Sequence, residues 1–154
     1  MNITTPIPLV VFDTNICLDF FVFHDTTSYP LLQAVKSQKF QAITRQDCSE
    51  EFLRVLDYPK FNLTHIDKTK ATTDFDQLIQ VIQCPPKNHH FLPICTDHDD
   101  QKFMEIAFDA NAQFLFSKDK ALLKLAKRNK KYGLFRIMSP TTWISESKQY
   151  HFNY

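Results

Sequence analysis

Residues 9–15 constrain the fold of this chain more than any other segment of its sequence. They read Leu-Val-Val-Phe-Asp-Thr-Asn, so that four apolar residues run directly into an acid and two small polar residues. A continuous apolar run that ends in helix-capping residue types predicts a strand buried on both faces, followed by a turn into a helix. Because ligands of open parallel sheets bind outside the carboxyl ends of the strands, Asp13 would lie at such a ligand-binding edge.

Strand-like and helix-like segments alternate along the rest of the chain. Further strands are predicted at residues 40–44, 91–95, 113–117 and 133–138. Helices are predicted at residues 14–23, 28–37, 46–57 and 103–110, from the capping pair Thr73 and Asp76 to Pro85, after Asp119 and after Ser139. This alternation predicts a three-layer α/β/α fold with a central parallel sheet of four or five strands. Since the sequence has no linker and no internal repeat, residues 1–154 are predicted to form a single domain.

The composition excludes several classes of function. Gly133 is the only glycine, which rules out the glycine-rich loops that bind nucleotide phosphates. The four cysteines are widely spaced and have no zinc-type spacing with the six histidines, so reduced cytosolic thiols are expected. No signal-peptide pattern precedes Asp13, and no apolar stretch approaches the ~20 residues of a membrane helix. A cytoplasmic location without membrane contact is therefore expected.

Four carboxylates fall where predicted elements begin or at the edge of an apolar helix face. Asp13 and Asp119 each follow a predicted strand directly. At about 100° per residue, Glu51 lies roughly 40° from the apolar stripe of its helix, and Asp100 lies within about 20° of the stripe of the helix it begins. By the same count, Lys102 points away from the apolar face. Carboxylates this close to apolar surface need a partner, because an unpaired buried charge is costly.

Each of these acids also has an ordinary structural explanation. Asp13, Asp100 and Asp119 are suited to cap a helix or to interact with the helix dipole. Glu51 lies in mid-helix, where its alternative role is an ion pair with a lysine or arginine. If the four share one site, they repel one another unless a cation neutralises them. A ligand set made only of oxygen atoms favours Mg²⁺ or Mn²⁺.

The order of the acidic segments carries a family resemblance. Five segments follow one another along nearly the whole chain: the opening strand with Asp13-Thr14-Asn15, the helix with Glu51, the segment Asp97-His-Asp99-Asp100, the strand with Ser117-Lys118-Asp119 and the closing Ile-Met-Ser-Pro-Thr-Thr-Trp. This series resembles the PIN-domain nucleases, in particular those that are toxins of toxin–antitoxin systems. Lys118 differs from the pattern, because many relatives have glycine at that position.

The resemblance implies a catalytic centre and a reaction. The implied catalytic and metal-binding quartet is Asp13, Glu51, Asp100 and Asp119, with Asp97 as an accessory ligand and Thr14, Asn15 and Ser117 as groups that orient ligands or substrate. The implied reaction is hydrolysis of RNA phosphodiester bonds with one or two Mg²⁺ or Mn²⁺ ions. The third ligand stays open among Asp97, Asp99 and Asp100, although the helix geometry favours Asp100. A cognate antitoxin and a homodimer are the implied partners.

Basic residues after Asp119 suggest where RNA would bind. The predicted backbone contacts are Lys118, Lys120, Lys124, Lys127 and Arg128, the last four within about 100° of arc on one helix. Lys130 and Lys131 follow, and Tyr132, Phe135 and Tyr150 are candidates for stacking on bases. The alternative is a solvated helix face, with the aromatic side chains packed in the core.

Two other functions remain open at this point. The first is a PIN-like module without catalytic activity, whose acids serve as caps and ion pairs while the basic helix binds RNA or a protein. The second is a metal-dependent phosphatase that acts on small phosphate esters.

Overall fold

Five parallel strands form one sheet in the computed structural model, which describes residues 6–152 and the side chains of residues 6–148. The strands are β1 (Leu9–Phe12), β2 (Gln41–Thr44), β3 (Ile79–Val81), β4 (Phe114–Phe116) and β5 (Arg136–Met138). Their order across the sheet is β3-β2-β1-β4-β5, so the first strand lies at the centre. The predicted parallel sheet and the three-layer α/β/α architecture are confirmed.

Helices cover both faces of this sheet. They are α1 (Thr14–Phe21), α2 (Tyr29–Lys36), α3 (Gln46–Val55), α4 (His65–Leu78), α5 (Gln101–Asp109), α6 (Lys120–Leu123), α7 (Ala126–Lys131) and α8 (Pro140–Phe152), with short 3₁₀ helices at Pro59–Phe61 and His98–Asp100. Val10 and Phe12 pack into a core with α1 to α4, whereas Val11 packs into the opposite core with α5 and α6. Side chains alternate between faces along a strand, so β1 is apolar throughout because both of its faces are buried.

The third strand and the helix before it differ from the prediction. Helix α4 begins at the capping box of Thr64 and Asp67 and ends at Leu78, so the predicted start at Thr73 is wrong. Residues 79–81 then form β3 beside β2, although Ile79 and Ile82 fit the helical period. The β-branched residues Ile79 and Val81 suit an extended strand. The sequence pattern of this segment fits a helix and a strand about equally well, and pairing with β2 selects the strand.

Residues 91–95 do not form the predicted strand. They lie in an irregular segment, with Phe91 and Ile94 exposed to solvent and Leu92, Pro93 and Cys95 buried. Pro93 has no backbone N–H to donate to a sheet, which disfavours a strand through its centre. Instead of residues 91–95, strand β3 (Ile79–Val81) completes the five-stranded sheet.

The helix predicted after Asp119 is interrupted. Helix α6 ends at Leu123, and α7 begins at Ala126 after a turn at Lys124 and Leu125. The estimate that places Lys120, Lys124, Lys127 and Arg128 on one continuous arc is therefore wrong, since it requires a single helix axis.

All four cysteines are unpaired thiols, and Cys17, Cys48 and Cys95 are buried. Over the described residues, no helix is both long and apolar enough to cross a membrane.

Candidate metal centre

Two neighbouring strands bring the first and last acids to the same edge of the sheet. Phe12 at the end of β1 pairs with Phe116 at the end of β4, and the Asp13 N–H donates to the Phe116 carbonyl at 3.2 Å. Asp13 and Asp119 follow these strands and cap α1 and α6. Parallel strands end at one edge, so an acid after each strand is enough to bring the two carboxylates together.

Asp13 is a buried acid with two protein donors. Its side chain accepts the Ile16 N–H at 2.9 Å and the Ser117 hydroxyl, and only 3% of the residue is exposed. Burial raises the pKa of Asp13 to about 6, although the hydrogen bonds from Ser117 and Ile16 oppose the shift. Asp13 therefore does cap α1, which is the structural explanation considered for it above.

Ser117 connects Asp13 to Asp119. It is fully buried, and its hydroxyl donates to Asp13 while it accepts the Asp119 N–H at 2.9 Å. The Asp119 carboxylate in turn accepts the Ala121 N–H at 3.0 Å. Ser117, one of the predicted orienting residues, thus lies between two of the predicted ligands. Its single hydroxyl fixes the position of the Asp13 carboxylate and of the Asp119 backbone.

Asp97, Asp100 and Asp119 form a compact cluster of carboxylates. One oxygen atom from each lies within 4.8 Å of the other two. Burial, a hydrogen bond to Asp119 and repulsion by Asp97 raise the pKa of Asp100 to about 8. The same hydrogen bond from Asp100 lowers the pKa of Asp119, because the two carboxylates share a proton. Of the three candidates for the third ligand, Asp97 and Asp100 lie in this cluster.

Glu51 is held by two side chains on other elements. Its two carboxylate oxygens accept the Thr14 hydroxyl and, at 2.8 Å, the Lys102 ammonium. Lys102 also donates to the Asp99 carbonyl, and its side chain is only 16% exposed. The prediction that Lys102 points outward is wrong, because helix geometry gives the direction of Cβ and not the end of a long flexible side chain. The ion pair that the sequence offered as an alternative for Glu51 is present.

All of these acids border one cavity of about 240 Å³. Six carboxylates line it: Asp13, Glu51, Asp97, Asp99, Asp100 and Asp119. Thr14 and Asn15, for which the resemblance implies an orienting role, also line it. The wall also contains Tyr58, Lys60 and Phe61, which belong to the 3₁₀ helix after α3 and the residue before it. Sequence reasoning missed these three, since the polar, weakly patterned segment that they begin gives no periodic signal.

The predicted RNA contacts lie in more than one place. Lys118 pairs with the buried Asp19 of α1, which accounts for an acid that is 7% exposed. Lys120 is exposed on α6, and Lys124 is exposed just after it. The pKa of Asp119 is lowered mainly by the hydrogen bonds from Asp100 and the Ala121 N–H, and to a smaller extent by the charge of Lys124. Lys127 and Arg128 are exposed on α7 and line a different cleft.

The aromatic candidates are likewise divided. Tyr132 is 49% exposed in the cleft lined by α7, whereas Phe135 is buried in the core. The side chain of Tyr150 lies outside the described residues.

The fold and the acidic cluster define a class: a parallel α/β/α domain with carboxylates gathered at the carboxyl end of its central strands. A family model described as PIN domain matches residues 9–121, from the first residue of β1 to the second residue of α6. The chain therefore belongs to the PIN domain family, whose members are generally metal-dependent nucleases. No curated protein matches the chain.

The residues at the centre fit a divalent cation. Hard cations take oxygen ligands, and the cluster offers carboxylate oxygens from Asp97, Asp100 and Asp119 at one point. Burial, the hydrogen bond to Asp119 and the charge of Asp97 raise the pKa of Asp100 to about 8, so at neutral pH the cluster holds a proton that a bound cation would displace. Asp13 lies beside this cluster and lines the same cavity, because the Ser117 hydroxyl donates to Asp13 and accepts the Asp119 N–H.

Proposed function

We propose that this protein is an Mg²⁺- or Mn²⁺-dependent endoribonuclease that hydrolyses RNA phosphodiester bonds at the acidic cavity. The proposed catalytic residues are Asp13, Glu51, Asp100 and Asp119, with Asp97 as a further ligand. The PIN domain match and the oxygen-only cluster support this assignment.

The environment of Asp100 carries the proposal. Capping explains Asp13, Asp97 and Asp119, each of which accepts a backbone N–H at the start of a helix, and Lys102 explains Glu51. Asp100 precedes α5 but makes no capping hydrogen bond. Within residues 6–148, no basic side chain forms an ion pair with it, and it lies against Asp97 and Asp119. Such an arrangement lowers stability in the absence of a cation, which argues for a metal site.

The side chains around the cavity have separate proposed tasks. A bound divalent ion supplies an activated water and positive charge for the reacting phosphate. Ser117 holds Asp13 and the backbone of Asp119 in register, and Thr14 orients Glu51 through its hydroxyl. Asn15 and Lys60 line the cavity, where an amide and an ammonium group are suited to contact the RNA backbone.

We extend the proposal to a biological role on the strength of the resemblance to toxin nucleases. In this role the protein is the toxin of a type II toxin–antitoxin pair in the cytoplasm. A cognate antitoxin would cover the acidic cavity or insert a basic residue into it, and the protein would act as a homodimer.

Two observations favour a second candidate, a PIN-like module without catalytic activity. The ion pair between Glu51 and Lys102 at 2.8 Å satisfies one proposed ligand without any metal. The capping hydrogen bonds of Asp13, Asp97 and Asp119 do the same for three others. The module explains these acids, but it gives no reason for Asp100.

A cleavage assay separates these functions. Purified protein is incubated with a mixed pool of structured and single-stranded RNA, with Mn²⁺, with Mg²⁺ or with chelator, and Asp13→Asn serves as the inactive variant. We expect cleavage that requires the ion and that disappears in Asp13→Asn, since this variant removes one carboxylate charge at the centre. A simple phosphomonoester, tested in parallel, should not be turned over. Absence of cleavage by a folded protein that still binds RNA would instead favour the non-catalytic module.

A further inference from the structure

We infer that a second cleft on this protein binds single-stranded RNA and holds the nucleotides that flank the bond to be cleaved. The cleft has a volume of about 600 Å³ and lies between the irregular segment 90–94 and helix α7. We call it the aromatic–basic cleft, and its defining residues are Phe91, Ile94, Lys127, Arg128, Lys131 and Tyr132. The inference rests on the proposed ribonuclease function, and it names the part of the substrate that lies outside the acidic cavity.

Exposed aromatic rings are the first observation. Phe91 is 69% exposed and Tyr132 is 49% exposed, with their ring centroids 6.4 Å apart. Ile94, which lines the same cleft, is 70% exposed. Apolar side chains gathered in one exposed patch indicate a binding surface, whereas scattered ones do not. The exposed parts of these two neighbouring rings offer surface on which nucleobases can stack, and every base has a face suited to such stacking.

The charge around these rings is the second observation. Lys127, Arg128 and Lys131 of α7 line the cleft and are exposed to solvent. Within the described residues, no acid lines it, in contrast to the acidic cavity. A polyanion that carries aromatic rings matches both properties of this surface, since cations track its phosphates while its bases stack. An acidic protein would match the charge but would leave the exposed faces of the rings without a specific use.

Continuity with the acidic centre is the third observation. Ile94 of the cleft precedes Asp97 of the cluster by three residues, so their Cα atoms lie at most about 11 Å apart. On the other wall, α7 follows α6 after the two-residue turn at Lys124 and Leu125, and Asp119 caps α6. Both walls of the cleft therefore run into ligands of the proposed metal centre. An RNA strand seated in the cleft lies beside the acidic cavity that would receive the scissile phosphate.

The test measures binding without cleavage. Fluorescence anisotropy of a labelled oligouridine is recorded with wild-type protein and variants in the presence of chelator. We expect Phe91→Ala and Tyr132→Ala each to raise the Kd about five- to a hundredfold, as the loss of one stacked base does. Lys127→Gln should reduce the slope of log Kd against log salt by about 0.7, the value for one phosphate contact with a single strand.

Matched variants control for folding and for unspecific surface effects. Tyr29→Ala removes a tyrosine that is 54% exposed and lies on α2, away from the cleft, so its affinity should equal that of wild type. Phe91→Tyr retains a ring that can stack and should bind like wild type. Because Phe91 and Tyr132 are largely exposed, the melting temperatures of their alanine variants should stay close to that of wild type.

The outcomes separate this inference from the proposed function. If Phe91→Ala and Tyr132→Ala bind RNA as well as Tyr29→Ala does, the inference is overturned, and metal-dependent cleavage would still support the ribonuclease. If they lose RNA affinity but wild-type protein cleaves nothing, the cleft is supported and the ribonuclease proposal fails. Loss of association with a protein in Phe91→Ala, at unchanged RNA affinity, would assign the cleft to that protein and overturn the inference.

Discussion

Replacing Asp100 with asparagine should raise the melting temperature of the metal-free protein and, under the proposed function, abolish the metal-dependent cleavage of RNA. The carboxylate of Asp100 lies against Asp97 and Asp119 without a cation, and its pKa is raised to about 8. An amide keeps the shape and a hydrogen bond to Asp119 but removes one repelling charge. After allowance for solvent screening at this partly exposed site, we expect a gain on the order of 1–2 kcal/mol, or about 3–6 °C.

The pH dependence of this gain follows from the direction of the pKa shift. An aspartate with a folded pKa of about 8 and an ordinary value of 3.8 binds more protons in the folded than in the unfolded state over that interval. The stability of wild-type protein therefore falls as pH rises from about 4 to about 8. Asp100→Asn lacks this loss, so its advantage should be absent near pH 4 and full above pH 8.

Thermal unfolding in chelator across this pH range measures the effect. Asp76→Asn, which changes an exposed acid on α4, is the control and should give the same pH dependence as wild type. Equal slopes for Asp100→Asn and wild type would mean that Asp100 is not under electrostatic strain, and the principal argument for a metal site would be lost.

Replacing Lys102 with methionine should lower the melting temperature, the opposite of the effect expected for Asp100→Asn. Lys102 and Glu51 pair at 2.8 Å with side chains only 16% and 18% exposed, so the change leaves a mostly buried carboxylate without its cation. Breaking a fully buried pair costs about 3–5 kcal/mol; for this partly accessible one we expect about 2 kcal/mol, which lowers the melting temperature by roughly 4–8 °C. Five other acids line the same cavity, and their charges add to the effect.

Lys70→Met is the matched control for Lys102→Met. Lys70 pairs with Asp74 one turn away on the surface of α4, with 69% of the lysine side chain exposed. Surface pairs at this spacing contribute only about 0.3–0.5 kcal/mol, so the melting temperature should hardly change. Mn²⁺ should restore part of the stability lost in Lys102→Met, because a cation at the centre reduces the net negative charge around Glu51. Equal melting temperatures of the two variants would contradict the structural role of Lys102.

Local sequence predicts the part of the site that depends on strand ends. Asp13 and Asp119 each follow a buried apolar strand, and the rule that parallel strands end at one edge is enough to place them together. Asp100 is found for a similar reason, because it starts an amphipathic helix on its apolar side. These inferences succeed since they need only the period and the direction of each element.

Long side chains and edge elements set the limit of such predictions. The pairing of Lys102 with Glu51 depends on where a flexible side chain ends, which its position on the helix does not determine. Strand β3 depends on pairing with β2, because Ile79 and Ile82 fit the helical period whereas Ile79 and Val81 suit a strand. The aromatic–basic cleft combines Phe91 and Tyr132, which are far apart in sequence and become neighbours only in the folded chain.

Direct measurement of Mn²⁺ binding tests the central claim of a metal centre built from the acidic cluster. Mn²⁺ is titrated into metal-free protein without RNA and followed by the loss of the electron paramagnetic resonance signal of the free ion. We predict binding by wild-type protein and by the surface variant Asp76→Asn. In Asp119→Asn the affinity for Mn²⁺ should fall by at least about tenfold. Loss of a side chain that only positions a metal ligand already lowers affinity by about this factor, and Asp119 is itself a proposed ligand. Absence of Mn²⁺ binding by wild type, or equal affinity in Asp119→Asn, would contradict the claim.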